Sequence, residues 1–179
     1  MHILKPFYTT KCGTIVSQNV TATFLNFLGL VRQYNADDFP NLTEHSSLDD
    51  ITDAINEVVG DRYIIVSDSR DKPYPIDLLP MLEYLIFEQQ PIILLRSLFK
   101  TLPAKPIELY MARTPPPYPE EPFILYGIDP ASEEAFIIHN CKEYVVGWHE
   151  LTEVVLAAGN TMLIDAEAHG VSVARRHEM

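Results

Sequence analysis

Seven of the chain's 14 prolines fall between Pro103 and Pro122, and three of these, Pro115, Pro116 and Pro117, are consecutive. Proline fixes φ and lacks an amide hydrogen, so this stretch excludes both a continuous helix and a central strand. The sequence is thereby split into a first part of mainly helical periodicity and a second part of strand-like runs. We read 103–122 as an extended surface loop, with a short strand over 107–111 interrupting it. Such a loop covers a cleft, offers a proline-reading partner a ligand, or simply makes a stiff connection.

Ahead of the prolines, Val16, Val20, Phe24, Phe27 and Leu28 recur at steps of three and four, which predicts a helix over 13–30 with Gly29 as its stop. Its threonines and Asn19 are weak helix formers, so packing of the apolar face has to carry it. A second helix is better signposted. Ser47 and Asp50 have capping-box spacing, Leu48, Ile51, Ala54, Ile55 and Val58 make one stripe, and Gly60 stands where a C-terminal cap belongs. A strand over 63–66, a loop over 67–75, a helix over 76–89 ended by Pro91 and a strand over 92–95 complete this part. Beyond the prolines, 123–128 and 135–140 read as a hairpin joined by the turn-rich Asp129-Pro130-Ala131-Ser132-Glu133-Glu134. A helix over 148–158 and a strand over 161–164 follow, and 166–179 reads as a flexible tail.

Helices first and strands after is an α+β order, in one domain over 1–165. An α/β open sheet is the alternative, with 63–66 and 92–95 paired in parallel across the intervening helix. A chain of 179 residues, 47% apolar and 21% charged, buries a core large enough to need no staple.

A formal net charge of −12 repels nucleic-acid phosphates and anionic lipid heads, and the lysines and arginines form no cluster to offset it. Nucleic acid and membrane are therefore excluded as partners, and a basic protein or peptide is favoured. The two cysteines, Cys12 and Cys141, could pair but make no disulfide framework, so reduced thiols and a cytoplasmic location are expected. Among metal-ligand spacings only His139 with Cys141 stands out, an i, i+2 pair, which is too few donors for a site. Phosphate-loop, nucleophile-elbow and dinucleotide motifs are absent, so no cofactor is expected.

One short motif carries chemistry. Cys12-Gly13 stands directly before the predicted first helix, where the helix dipole and unpaired amides lower a thiol's pKa and could hold an oxyanion. The plainer reading of Cys12 is a packing residue.

The run CGTIVSQNVTATFLNFLG, from Cys12 to Gly29, resembles the Cys-Gly-plus-helix start of papain-like cysteine peptidases of the bacteriocin-processing kind. The segment from Pro122 to Val155, PFILYGIDPASEEAFIIHNCKEYVVGWHELTEVV, is similar to that family's central hairpin and the helix after it. The resemblance covers roughly 6–30 and 121–165. It implies a papain-like fold with N-terminal helices packed on an antiparallel sheet, Cys12 as nucleophile, and Asn140 as the residue that orients a catalytic histidine. The histidine itself, placed by the family six residues before the glycine matched by Gly127, is here Glu121, and no histidine lies between His45 and His139. Pro6 stands where the family has an oxyanion-site glutamine. A carboxylate is a poor base for a thiol, and its charge opposes thiolate formation.

The expected function is accordingly a cysteine-peptidase-like fold whose catalytic set has decayed and whose groove binds a peptide or protein partner. One alternative is an active thiol hydrolase or acyltransferase using Cys12 with an unrecognised base. Another is an acidic interaction or immunity-type protein of unrelated α+β fold.

Overall fold

A helix that is buried on nearly every side must satisfy each polar group it carries, and helix α1 (Val16–Phe27) meets this demand with side chains the sequence marks as weak helix formers. The structure, a computed structural model, describes residues 1–66, 85, 88–97, 104–106, 120–151 and 162–165. In α1, Ser17 Oγ donates to the Thr43 carbonyl at 2.7 Å and Thr21 Oγ1 to the Ser17 carbonyl at 2.7 Å. Buried Asn26 pairs with both backbone groups of Tyr34, accepting from its N–H and donating to its carbonyl, each at 2.9 Å. Asn56, on helix α2 (Leu48–Val59), treats Tyr63 in the same way. Asn26 thus fastens a connecting segment to α1, and Asn56 fastens the first residue of the strand 63–66 to α2.

The capping box of α2 is present, with Ser47 Oγ accepting from the Asp50 amide and the Asp50 carboxylate accepting from the Ser47 amide. Gly60, at φ 85°, closes the helix as expected. Leu48, Ile51 and Ile55 bury the α2 stripe against Val20, Phe24, Leu25 and Phe27 of α1.

Among the described residues, eight strands form one curled sheet: β1 (His2–Ile3), β2 (Tyr63–Val66), β3 (Ile92–Ser97), β4 (Ala104–Pro106), β5 (Glu120–Asp129), β6 (Glu134–His139), β7 (Lys142–Gly147) and β8 (Met162–Asp165). Their order is β2-β8-β3-β5-β6-β7-β4, with β1 beside β5, and every described pairing is antiparallel. Side chains alternate across the sheet. Tyr63, Ile93, Ile124, Tyr126, Ile138 and Leu163 face α1 and α2 in one core. Their neighbours Ile92, Leu94, Phe123, Leu125, Ile137 and Tyr144 are buried on the opposite face. A bulge between Leu125 and Gly127 shifts the β5–β6 register, and a side chain at Gly127 would stand 3.0 Å from the His2 carbonyl oxygen, so a larger residue there would push β1 outward by a few tenths of an ångström.

Several expectations change. The open-sheet alternative fails because β8 lies between β2 and β3 and runs antiparallel to both. Strand β7 occupies a stretch to which our sequence reading assigned no element; its hairpin turn is Asn140-Cys141, with no glycine to announce it. Helix α1 is shorter than 13–30. The proline-rich stretch is not loop throughout, since 104–106 and 120–122 are strand. Pro106 is tolerated because β4 is an edge, and Pro122 because it precedes Ile124, where the β5–β6 ladder begins. The expected loop over 67–75, the strand over 107–111 and the tail over 166–179 lie outside the described residues. So do most of the expected helices over 76–89 and 148–158, of which Leu85 and 148–151 are described as helical.

Candidate functional site

The loop ahead of α1 is pinned on both sides of Cys12. Lys11 N–H donates to Asn35 Oδ1 at 2.9 Å, and the Lys11 carbonyl accepts from Ala36 N–H at 3.1 Å. On the other side Gly13 N–H donates to Asn19 Oδ1 at 2.9 Å while Asn19 Nδ2 returns a bond to the Gly13 carbonyl at 3.0 Å. Asn19, 1% exposed, spends its remaining donor on Asn140 Oδ1 at 2.7 Å. One amide side chain therefore ties three things together: α1, the loop that carries Cys12, and the turn between β6 and β7.

At that turn the structure joins Cys12 to Cys141 in a disulfide, with Cα atoms 6.5 Å apart and a sequence separation of 129. This corrects the expectation of reduced thiols. It also moves Cys12 away from the helix start, since the N-cap of α1 is Ile15 and Cys12 lies outside the first turn, where dipole and free amides act. Asn140 and Cys141 both take left-handed backbone, φ 49° and 66°, so His139, Asn140 and Cys141 do not continue one strand. The i, i+2 pair His139 and Cys141 therefore does not lie on one strand face.

Of the three residues implied for catalysis, the structure brings Cys12 and Asn140 together and leaves Glu121 apart. Ile124 and Ile138 face α1, and Glu121 and His139 stand at odd offsets from them, on the other face of the sheet. There His139 Nε2 lies 3.1 Å from Glu121 Oε2, both side chains largely buried, though out of line for a hydrogen bond. The other described histidines engage elsewhere: His2 Nε2 is 2.7 Å from the Leu85 carbonyl oxygen, His45 faces Glu44 and His149 faces Glu133. Among the described residues no group of three or more His, Cys, Asp or Glu side chains is arranged to hold a metal ion. No helix among them is long and apolar enough to cross a membrane.

Asn19 is the site residue that sequence reasoning missed. It registered only as a poor helix former inside a helix, and that misfit was the available signal: a polar amide among apolar neighbours needs partners.

No protein-family model matches the sequence, and no curated protein does. By fold, the chain is similar to a crystal structure from Bacillus anthracis provisionally described as a C39-like peptidase. The TM-score is 0.60 over 90% of this chain and 95% of that one, at 11% sequence identity. The two chains share a fold: helices against a curled antiparallel sheet.

Proposed function

We propose that this chain is a papain-like scaffold that binds a peptide or protein partner and does not cleave it. The observation that carries this reading is the fate of the Cys12 sulfur, which stands where the family resemblance puts the nucleophile and is bonded to Cys141. Thiol peptidases need a thiolate and a base that takes its proton. A disulfide sulfur supplies neither proton nor nucleophile, and Glu121, at the position implied for the histidine, faces away from it. Asn140, in turn, gives Oδ1 to Asn19, the atom through which it would steer an imidazole.

The partner is a basic segment. Net charge favours it, and a cleft of about 400 Å³ between the 38–46 connection and α2 has Asp50, Asp53 and Glu57 in its lining, besides Asp38, which Arg32 pairs at 2.8 Å.

Hydrolysis of a fluorogenic peptide pool, measured with oxidised and with reduced protein, tests the first half of the reading. No turnover above buffer is expected in either state. Hydrolysis that disappears in Cys12→Ser would overturn it in favour of a thiol hydrolase or acyltransferase. Pull-down at two salt concentrations tests the second half, where basic partners released by salt are expected.

A further inference from the structure

We propose that the Cys12–Cys141 bond is a redox latch on the seam between the loop ahead of α1 and the β6–β7 turn, opened by small thiols while the protein stays folded. Three observations lead there. Cys12 is an exposed residue and Cys141 half-buried, so the bond lies at the surface, on the side from which a small thiolate would approach the Cys12 sulfur.

Cys141 also occupies the second central position of a two-residue hairpin turn at φ 66°, a conformation in which a side chain is disfavoured and glycine is usual. Turn preference does not explain a cysteine there; pairing across the seam does. Finally, each side of the seam has anchors of its own. The loop is held at Lys11 by Asn35 and Ala36 and at Gly13 by Asn19, and the turn is held by the β6–β7 ladder from Glu134–Gly147 to His139–Lys142. Opening the bond leaves both walls in place, with the Asn19–Asn140 hydrogen bond still bridging them.

The chemistry balances with a small-molecule thiol as reductant. Its thiolate attacks Cys12 Sγ, the Cys12–Cys141 bond breaks, and the electron pair leaves on Cys141 Sγ, which takes a proton. A second thiolate attacks the sulfur of the small molecule now carried by Cys12. The small-molecule disulfide departs, and Cys12 leaves as a thiolate that is protonated in turn. Two electrons enter the protein and two small thiols are oxidised. The product carries a free thiol at the exposed Cys12.

The test treats the oxidised full chain with reduced glutathione at neutral pH, with and without denaturant. Iodoacetamide trapping with mass spectrometry reads both cysteines, circular dichroism reads the fold, and hydrogen exchange reads the seam. We expect native reduction within about 30-fold of the denatured rate. The circular dichroism should be unchanged, and exchange should rise around 10–14 and 139–142. Slower native reduction, or loss of the fold on reduction, would overturn the latch and make the bond a structural staple. Cys141→Gly suits the turn's positive φ and mimics the opened state; it should fold and show the same raised exchange, and failure to fold counts equally against the latch. This proposal does not rest on the binding reading. Peptide hydrolysis by reduced protein would end that reading and leave the latch standing, whereas a bond resistant to native reduction would do the reverse.

Discussion

Asn19 Nδ2 donates to Asn140 Oδ1 at 2.7 Å across 121 residues of sequence, and the same side chain holds Gly13 by its N–H and its carbonyl. Removing it breaks all three hydrogen bonds, each contributing about 0.5–1.5 kcal/mol net. Asn19→Ala should therefore lower the urea-unfolding free energy by roughly 2–4 kcal/mol. A loss under about 0.5 kcal/mol, the scale of an ordinary surface substitution, would show that water replaces the amide at no cost.

The disulfide closes a long loop, 129 residues apart in sequence. Chain entropy alone would assign it about 5 kcal/mol, while removal of native bonds typically costs less than such estimates. For Cys141→Gly we expect a loss of about 2–4 kcal/mol in denaturant unfolding, with glycine's ease at positive φ returning a fraction of it. The measurement is the shift in urea midpoint between oxidised wild type and the variant.

Glu121→His, which restores the residue type the family resemblance calls for, should yield no peptide hydrolysis even in reduced protein. Position 121 faces the side of the sheet opposite α1, beside His139, and a new imidazole there cannot meet the Cys12 thiol. Turnover by this variant would refute the placement.

Alkaline pH should weaken the fold through two tyrosines. Burial pushes the Tyr63 phenol well above its ordinary range. Burial first, and then the 2.7 Å hydrogen bond from its hydroxyl to Glu143, does the same for Tyr126, whose ring is in the core while its hydroxyl reaches the rim. Because the folded pKa values are raised, the unfolded chain loses these protons first, at about pH 10. The stability the two groups contribute is complete below that pH and is lost as pH rises through the folded values. Urea midpoints should be level up to about pH 9.5 and fall above about pH 10, and the Tyr63→Phe, Tyr126→Phe double variant should fall less steeply.

Much of the fold was legible from local signals. The capping box at Ser47 and Asp50, the stripe of α2, the run 63–66, the hairpin partners 123–128 and 135–140 and the terminal strand all depend on near neighbours, and periodicity or cap chemistry reports near neighbours directly. Strand β7 was hidden because its turn uses cysteine where glycine would have been the cue. Which strand lies beside which is a matter of long-range pairing, and nothing local told β2 that β8 would separate it from β3.

The site divides along the same line. By itself the sequence determined the order of helices and strands, the acidic charge, and the arrival of Cys12 and Asn140 in segments that a family resemblance could bring together. Tertiary structure alone decided that Glu121 faces away, because one residue of register sets which side of a sheet a side chain occupies. It also decided that Asn19 is the clamp, and that Cys12 meets Cys141 rather than an imidazole. Those contacts join positions more than a hundred residues apart, and they exist only once α1 has packed against β5 and carried the loop and the turn to the same place.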